Sequence, residues 1–206
     1  FSNTLEPNSF YQAKVAVQDF FNISELLNAG FQIISYDATL ILQRQKFHQA
    51  LKMTNDTSVK LVGKDYSPEK DLVDVALSSF ELDRFHQDKK IPRHLSDEIK
   101  KKWVLNYFNG TRGNLLYVIE YNGAIAGFLL LIFKEQMAII DLIAIDSKAR
   151  GQGFGRSLIV NVIKNLPSQY SEIRVGTQVK NYPAMKLYSS LGFEAVSGTI
   201  NLHLHS

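Results

Sequence analysis

Cysteine is absent from the 206 residues, and tryptophan occurs once. Without a thiol there is no disulfide framework, no zinc–thiolate or iron–sulfur site and no cysteinyl nucleophile, and the redox compartment is left open. An excess of one charge is also lacking. Lys and Arg number 23 against 20 Asp and Glu, a net charge of +3, which is too even to argue for a nucleic-acid partner. No apolar run approaches the roughly 20 residues that span a bilayer; the longest, Ala126 to Phe133, is strand-sized. The chain opens on Phe1 with no basic segment followed by an apolar one. A soluble, cytoplasmic protein with no membrane span and no nucleic-acid partner is expected, with a homodimer left open. What is present suits a packed domain: 45% of residues are hydrophobic and 21% charged.

Hydrophobic period and turn residues outline an α/β chain. The alternation Ala13, Val15, Val17 predicts a strand over 12–18. A short helix over Ile23 to Asn28, stopped by Gly30, and a long strand over Phe31 to Leu42 follow. The polar stretch 43–58 reads as a linker. Beyond it come a strand over Val59 to Val62, a helix opened by Ser67-Pro68-Glu69 with Phe80 on its apolar face, and an aperiodic segment over 82–93. Ser96-Asp97-Glu98 is expected to cap a helix whose face is Ile99, Trp103 and Tyr107, ended by Gly110. Asn122-Gly123 between two apolar runs signals a hairpin. Strands over Met137 to Ile145 and Ile173 to Val179, helices over Ser157 to Asn165 and Pro183 to Leu191, and a strand pair over Phe193 to Leu204 complete the order. A small N-terminal α/β unit (1–45), a linker (46–58) and a main domain (59–206) are expected. A faint repeat joins the two ends: Leu26-Leu27-Asn28-Ala29-Gly30-Phe31 resembles Tyr188-Ser189-Ser190-Leu191-Gly192-Phe193. Helix–Gly–Phe–strand is common enough for chance to explain this equally.

The chemistry concentrates in Arg150-Gly151-Gln152-Gly153-Phe154-Gly155-Arg156, between a predicted strand and a predicted helix. Glycines allow close backbone approach, a helix start presents free N–H groups, and arginines fork onto phosphate oxygens. Together these suit a diphosphate. No Lys-Ser/Thr follows the last Gly, so this is no Walker loop, and the alternate glycines do not give the dinucleotide spacing.

These residues resemble the GNAT acetyltransferase superfamily. Its acetyl-CoA motif, Arg/Gln-x-x-Gly-x-Gly/Ala after a strand, is matched at every position from Arg150 to Gly155, and Ile143-Ala144-Ile145-Asp146 matches the strand before it. Asn181-Tyr182-Pro183-Ala184-Met185-Lys186-Leu187-Tyr188, closed by Gly192-Phe193, matches the second motif. The resemblance covers about 59–204. It implies a GNAT fold: a central mixed, mostly antiparallel sheet with helices on both faces, here with a smaller N-terminal partial-GNAT unit. It implies acetyl-CoA as cosubstrate and no metal. Backbone at Ile143 and Ile145 would bond the pantetheine, Asn181 would reach it, and amides and side chains of Arg150, Gly151, Gly153, Phe154, Gly155 and Arg156 would hold the diphosphate. Tyr188 would stand near the sulfur as general acid, its hydroxyl pKa of about 10 being close to that of a thiol. The base is open. On simple alternation Asp141 shares a strand face with Ile143 and Ile145; a bulge would turn it away. His86, His94 and a water chain are alternatives.

The segment carrying Arg84-Phe85-His86, Asp88 and Trp103 resembles the acceptor wall of one GNAT subgroup, the dTDP-fucosamine acetyltransferases, which act on a nucleotide-linked 4-amino-4,6-dideoxy sugar. That subgroup has an N-terminal extension of partial GNAT character and usually has Ser where Asp83 stands. Aromatic rings to stack and a cation for a diphosphate are what such an acceptor needs, and Arg84, Phe85, His86 and Trp103 supply both. Core packing for Trp103 and local ion pairing for Arg84 are the plain alternatives, as are other amine acceptors or a non-catalytic CoA-binding protein.

Overall fold

A computed structural model describes residues 6, 8–47, 58–66, 69–79 and 81–206. Ser67, Pro68, Phe80 and most of the expected linker lie outside the described residues. In chain order the elements are β1 (Phe10–Ala16), α1 (Phe20–Asn28), β2 (Gln32–Gln43), β3 (Ser58–Val62), α2 (Glu69–Ser79), α3 (Arg84–Gln87), α4 (Arg93–Phe108), β4 (Leu115–Tyr121), β5 (Ala124–Lys134), β6 (Met137–Ile145), α5 (Phe154–Asn165), β7 (Glu172–Gln178), α6 (Tyr182–Ser190) and β8 (Glu194–His205).

The strands form one eight-stranded sheet, ordered β1-β8-β2-β7-β6-β5-β4-β3. Every pairing is antiparallel except β6 with β7. This is the mixed, mostly antiparallel α/β sheet that the family resemblance implies. The hairpin of β4 and β5 turns on Asn122 and Gly123, both at positive φ (50° and 77°), as a two-residue turn with the right twist demands. Helices pack on both faces. Leu158, Ile159, Ile163 and Tyr188 join Leu40, Leu42, Leu129 and Ile140 in one core, and Leu72, Val75, Ala76 and Val104 join Val118, Phe128, Leu130 and Leu142 in the other.

Two expectations at local level are corrected. Residues 194–205 form a single strand rather than a pair, because β8 runs unbroken between β1 and β2. Helix α4 begins at Arg93 with Pro92 as its cap, a turn before Ser96. Ser96 is buried inside it and donates to the Phe85 carbonyl (3.0 Å), so the face turned inward is Ser96, Lys100, Val104 and Tyr107. A serine that bonds a neighbouring segment looks the same in sequence as one that caps.

The N-terminal residues enter the same sheet, with β2 lying between β7 and β8. The repeat is structural. One constant offset carries β1, α1 and β2 onto β7, α6 and β8 with identical boundaries. Each helix ends alike: Phe31 N–H bonds Leu26 O (3.0 Å) and Phe193 N–H bonds Tyr188 O (3.1 Å), around Gly30 (φ 92°) and Gly192 (φ 89°). The β2–β8 register maps onto itself about the Asp37–Thr199 pair, with the irregularities at Ile33/Ser35 and Thr39/Leu40 exchanging places. The four strands β1-β8-β2-β7 are thus two interlocked copies of one strand–helix–strand unit.

Candidate active site

Strands β6 and β7 pair only from Met137/Glu172 to Ile140/Val175, yet both continue for several residues. Where they part, β6 has unpaired backbone beside it, and a cleft of about 550 Å³ opens against α5 and α6. Ile143, Ile145, Arg150, Gly151, Gly153, Phe154, Gly155, Arg156, Asn181 and Tyr188 all line it. The sequence motifs, 45 positions apart at their extremes in numbering (143 to 188), therefore meet in one place.

The glycine turn is built for close approach. Gly151 and Gly153 sit at φ 80° and 86°, where side chains are strained, and Gly153 opens α5 without a side-chain cap. Helix α5 starts at Phe154, a turn before the expected Ser157, so the N–H groups of Phe154, Gly155 and Arg156 have no acceptor within the helix and face the cleft end. A Cβ on Gly155 would come within 3.2 Å of Leu187 Cδ2, so glycine lets α5 close on α6. The Phe154 ring turns inward against Tyr121 (5.1 Å), leaving its backbone to the cleft. Arg150 reaches the carbonyls of Ser78 and Ser79 (3.3 and 3.5 Å), and Arg156 reaches Ser190 Oγ (3.2 Å). Asn181 caps α6 by accepting from Ala184 N–H (3.3 Å) and donates to Thr177 Oγ1 (3.2 Å).

Tyr188 is buried, its ring 5.6 Å from that of Phe193. Its hydroxyl has no hydrogen-bond partner among the described residues and borders the cleft. Burial raises its pKa well above the ordinary tyrosine value, so the proton stays on oxygen at neutral pH.

Asp141 does not share the face of Ile143 and Ile145. Leu130 pairs with Leu142 and Leu131 with Ile140, so Asp141 is the extra residue of a β-bulge. Its carboxylate takes both Nε and a terminal nitrogen of Arg112 (2.6 and 2.5 Å). That pairing also holds the Arg112 pKa above its ordinary value. His86 is likewise not an open loop histidine. Its ring is 1% exposed and lies between Asp83 Oδ2 (2.5 Å) and Asp97 Oδ1 (3.0 Å), which ties α3 to α4 and leaves neither ring nitrogen for a ligand. His94 is exposed.

The other predicted wall residues do gather. The guanidinium of Arg84 lies over Phe85 (4.5 Å) and 6.0 Å from Trp103, and the Phe85 and Trp103 rings meet edge to face at 6.2 Å. Nε of Arg84 donates to Gln12 Oε1 (3.3 Å); its terminal nitrogens have no acceptor among the described residues. Sequence reading missed Lys100, whose ammonium lies 3.8 Å over Trp103 and 3.4 Å from Asp83. Burial lowers its pKa to about 8. It also missed the polar sheet face beneath: Asn201 Nδ2 donates to Ser35 Oγ (2.9 Å) and Asp37 Oδ2 (2.8 Å), on the side of β2 and β8 turned toward α3. Only the pairing of β2 with β8 brings these residues together, and no local motif signals it. Farther along β8, His203 and His205 meet Asp88, a donor set able to hold a cation.

The family model described as acetyltransferase (GNAT) family matches residues 76–193. The spore coat polysaccharide biosynthesis protein SpsD of Bacillus subtilis is 29% identical over 134 residues, covering 65% of this chain and 46% of SpsD. The N-acetylaspartate synthetase of Xenopus tropicalis is 27% identical over 125 residues, 58% of this chain and 46% of that protein. The chain thus spans about half the length of these curated relatives. Among solved structures, a tandem GNAT protein from the clavulanic acid biosynthesis pathway superposes with a TM-score of 0.66 at 16% identity, covering 95% of this chain and 64% of that one, which is a likeness of fold. No helix among the described residues is long and apolar enough to cross a membrane. With a matching model over more than half its length, and with both motifs folded into one cleft at parted strands, this chain belongs to the GNAT family of acetyltransferases.

Proposed function

We propose that the protein transfers an acetyl group directly from acetyl-CoA to the amine of a nucleotide-linked 4-amino-deoxy sugar, in the making of a surface polysaccharide. The observation that carries the transferase reading is the cleft at the parting of β6 and β7, which gathers all nine predicted cofactor-binding residues and the Tyr188 hydroxyl. Acetyl-CoA supplies an acyl thioester there. The N–H groups of Phe154, Gly155 and Arg156 receive its diphosphate, and the β6 backbone at Ile143 and Ile145, which no strand pairs on the cleft side among the described residues, receives the pantetheine amides as an added strand would, the Ile145 carbonyl also accepting from Ser79 Oγ (2.8 Å). A backbone N–H of that strand is the fixed donor for charge that develops on the acyl oxygen. The amine attacks the acyl carbon, the C–S bond breaks as the N–C bond is completed, the Tyr188 hydroxyl gives its proton to the departing sulfur, and the proton released by the new amide nitrogen restores the hydroxyl.

The acceptor reading rests on the opposite face. A half-buried guanidinium whose terminal nitrogens have no acceptor among the described residues fits a diphosphate, the half-buried Trp103 offers a ring for stacking with the buried Phe85 backing it, and the Ser35–Asp37–Asn201 floor suits hydroxyls. SpsD, a polysaccharide biosynthesis protein, is consistent with it. A second reading, a small amine bearing a carboxylate, is favoured by the three cations around Trp103 (Lys100, Arg84 and Arg112) and by the N-acetylaspartate synthetase relative. Thiol release from acetyl-CoA, measured with a panel of amino-sugar nucleotides and of amino acids, tests both. Turnover with a 4-amino-deoxy sugar nucleotide and none with amino acids is expected. Turnover confined to amino acids would reject the sugar reading while keeping the transferase, and no turnover with bound acetyl-CoA would leave a CoA-binding protein.

A further inference from the structure

We propose that Asp88, His203 and His205 form a binding site for a divalent transition-metal ion of the zinc or cobalt type, separate from the acetyl-CoA cleft. Residues i and i+2 of a strand project to the same side, so His-x-His on β8 aims two imidazoles at one region. Asp88, in the segment after α3, comes down onto them. Its Oδ2 is 2.7 Å from His203 Nδ1 and 2.7 Å from His205 Nε2, and one donor atom from each residue lies within 4.8 Å of the others. The other carboxylate oxygen accepts from the Lys90 N–H (2.9 Å), which fixes the carboxylate plane as outer partners do at metal centres.

The surroundings suit an ion. Asp88 and His203 are buried, and Phe10 of β1 covers the imidazoles at 4.8 and 5.1 Å, keeping bulk water off that side. His205 is a quarter exposed and gives a path of entry. Two imidazoles and one carboxylate are a borderline donor set, which suits zinc, cobalt or nickel rather than the oxygen-seeking calcium and magnesium. Three protein ligands leave positions for water or for an acceptor group.

Without an ion both imidazoles donate N–H to Asp88, since a carboxylate has no proton to give. Ligation needs each ring to free the nitrogen that faces Asp88, the proton it carries there passing to the other ring nitrogen or to solvent. For His203 the other nitrogen, Nε2, is buried without a partner among the described residues, so no bond at Nε2 opposes the shift. Metal–ligand bonds of about 2.0–2.1 Å at tetrahedral angles set ligand atoms roughly 3.3 Å apart, so the two 2.7 Å Asp88–His separations open by about half an ångström while the wider separation within the 4.8 Å cluster closes. The ion would pin the segment after α3 to β8, and with it Arg84 and Phe85, four and three positions upstream.

The test uses the full chain, stripped with chelator and titrated with Zn²⁺ by calorimetry and with Co²⁺ by visible absorption. One ion per chain, a visible Co²⁺ band and a higher melting temperature with Zn²⁺ are expected. His205→Gln removes a partly exposed ligand, and metal-free melting shows whether it folds; its affinity should drop at least about tenfold, while His94→Gln, at an exposed histidine, should bind as wild type. No uptake at millimolar metal would show that the three residues are a hydrogen-bonded clamp only and overturn the proposal. Undiminished uptake in folded His205→Gln would overturn it equally.

Discussion

Tyr188→Phe isolates one oxygen atom. The ring stays buried against Phe193 at 5.6 Å, and the hydroxyl has no partner among the described residues, so the fold loses no hydrogen bond. The stability change should stay within about 1 kcal/mol, since the cost of losing a hydroxyl comes mainly from the partner it strands. Catalysis is another matter. Sulfur needs the proton only as it leaves, so the hydroxyl acts in the transition state more than in the ground state, and kcat should fall while acetyl-CoA affinity holds. General-acid help is worth roughly 10²–10⁴-fold. Because burial raises the Tyr188 pKa, the wild-type group is protonated throughout neutral pH, and the loss should be the same across that range. Single-turnover mixing of preloaded enzyme with amine, with melting curves beside it, separates chemistry from product release. A folded Phe variant reacting at the wild-type single-turnover rate would show that Tyr188 only packs.

Gly155→Glu should abolish acetyl-CoA binding, because it puts a negative charge at the start of α5 beside the diphosphate end; since a Cβ there meets Leu187 at 3.2 Å, some loss of melting temperature is expected as well, and calorimetry at wild-type affinity on the folded variant would reject the loop's role. Arg84→Ala and Trp103→Ala should raise the acceptor KM and spare acetyl-CoA affinity; for the half-buried Trp103 the stability loss should fall below the ~3–5 kcal/mol of a buried aromatic truncation. Lys100, lowered to about 8 by burial, binds fewer protons folded than unfolded between about pH 8 and its ordinary 10.4, so its contribution to stability rises with pH over that window. Denaturant titrations of wild type minus Lys100→Met should show that rise, and a flat difference would refute it.

What was legible in the sequence is what local physics decides. The hairpin at Asn122-Gly123, the β6 boundaries and the glycine turn each need particular residue types at particular positions, and each was found where read. The face of Asp141 stayed open in the sequence because a bulge leaves no signature in one strand: the extra residue exists only relative to Leu130 and Leu131 on the partner. His86 and Lys100 were missed or misplaced because burial of a polar group depends on a carboxylate brought up by another element, Asp97 of α4 for His86 and Asp83 before α3 for Lys100. The polar floor and the Asp88–His203–His205 cluster needed the insertion of β2 and the docking of α3, which are long-range facts.

The interlocked repeat sets the stoichiometry. Because β1-α1-β2 copies β7-α6-β8, a second acetyl-CoA cleft should be sought where α1 meets β1, and a groove does lie there, lined by Lys14, Val15, Ala16, Asp19, Asn22, Glu25 and Leu26. Its chemistry has diverged at the positions that matter. Asp19 stands where Asn181 caps α6, Glu25 stands where Leu187 packs the cleft wall, and Leu26 stands where Tyr188 offers its hydroxyl. No strand lies beside β1 in the place that β6 takes beside β7 among the described residues, so no glycine turn delivers amides to that groove. Two carboxylates in place of a neutral amide and an apolar side chain repel a diphosphate rather than hold it. One acetyl-CoA per chain is therefore expected by calorimetry, falling to none in Gly155→Glu. A second site that survives in that variant would mean that the N-terminal copy has kept the binding function its shape still suggests.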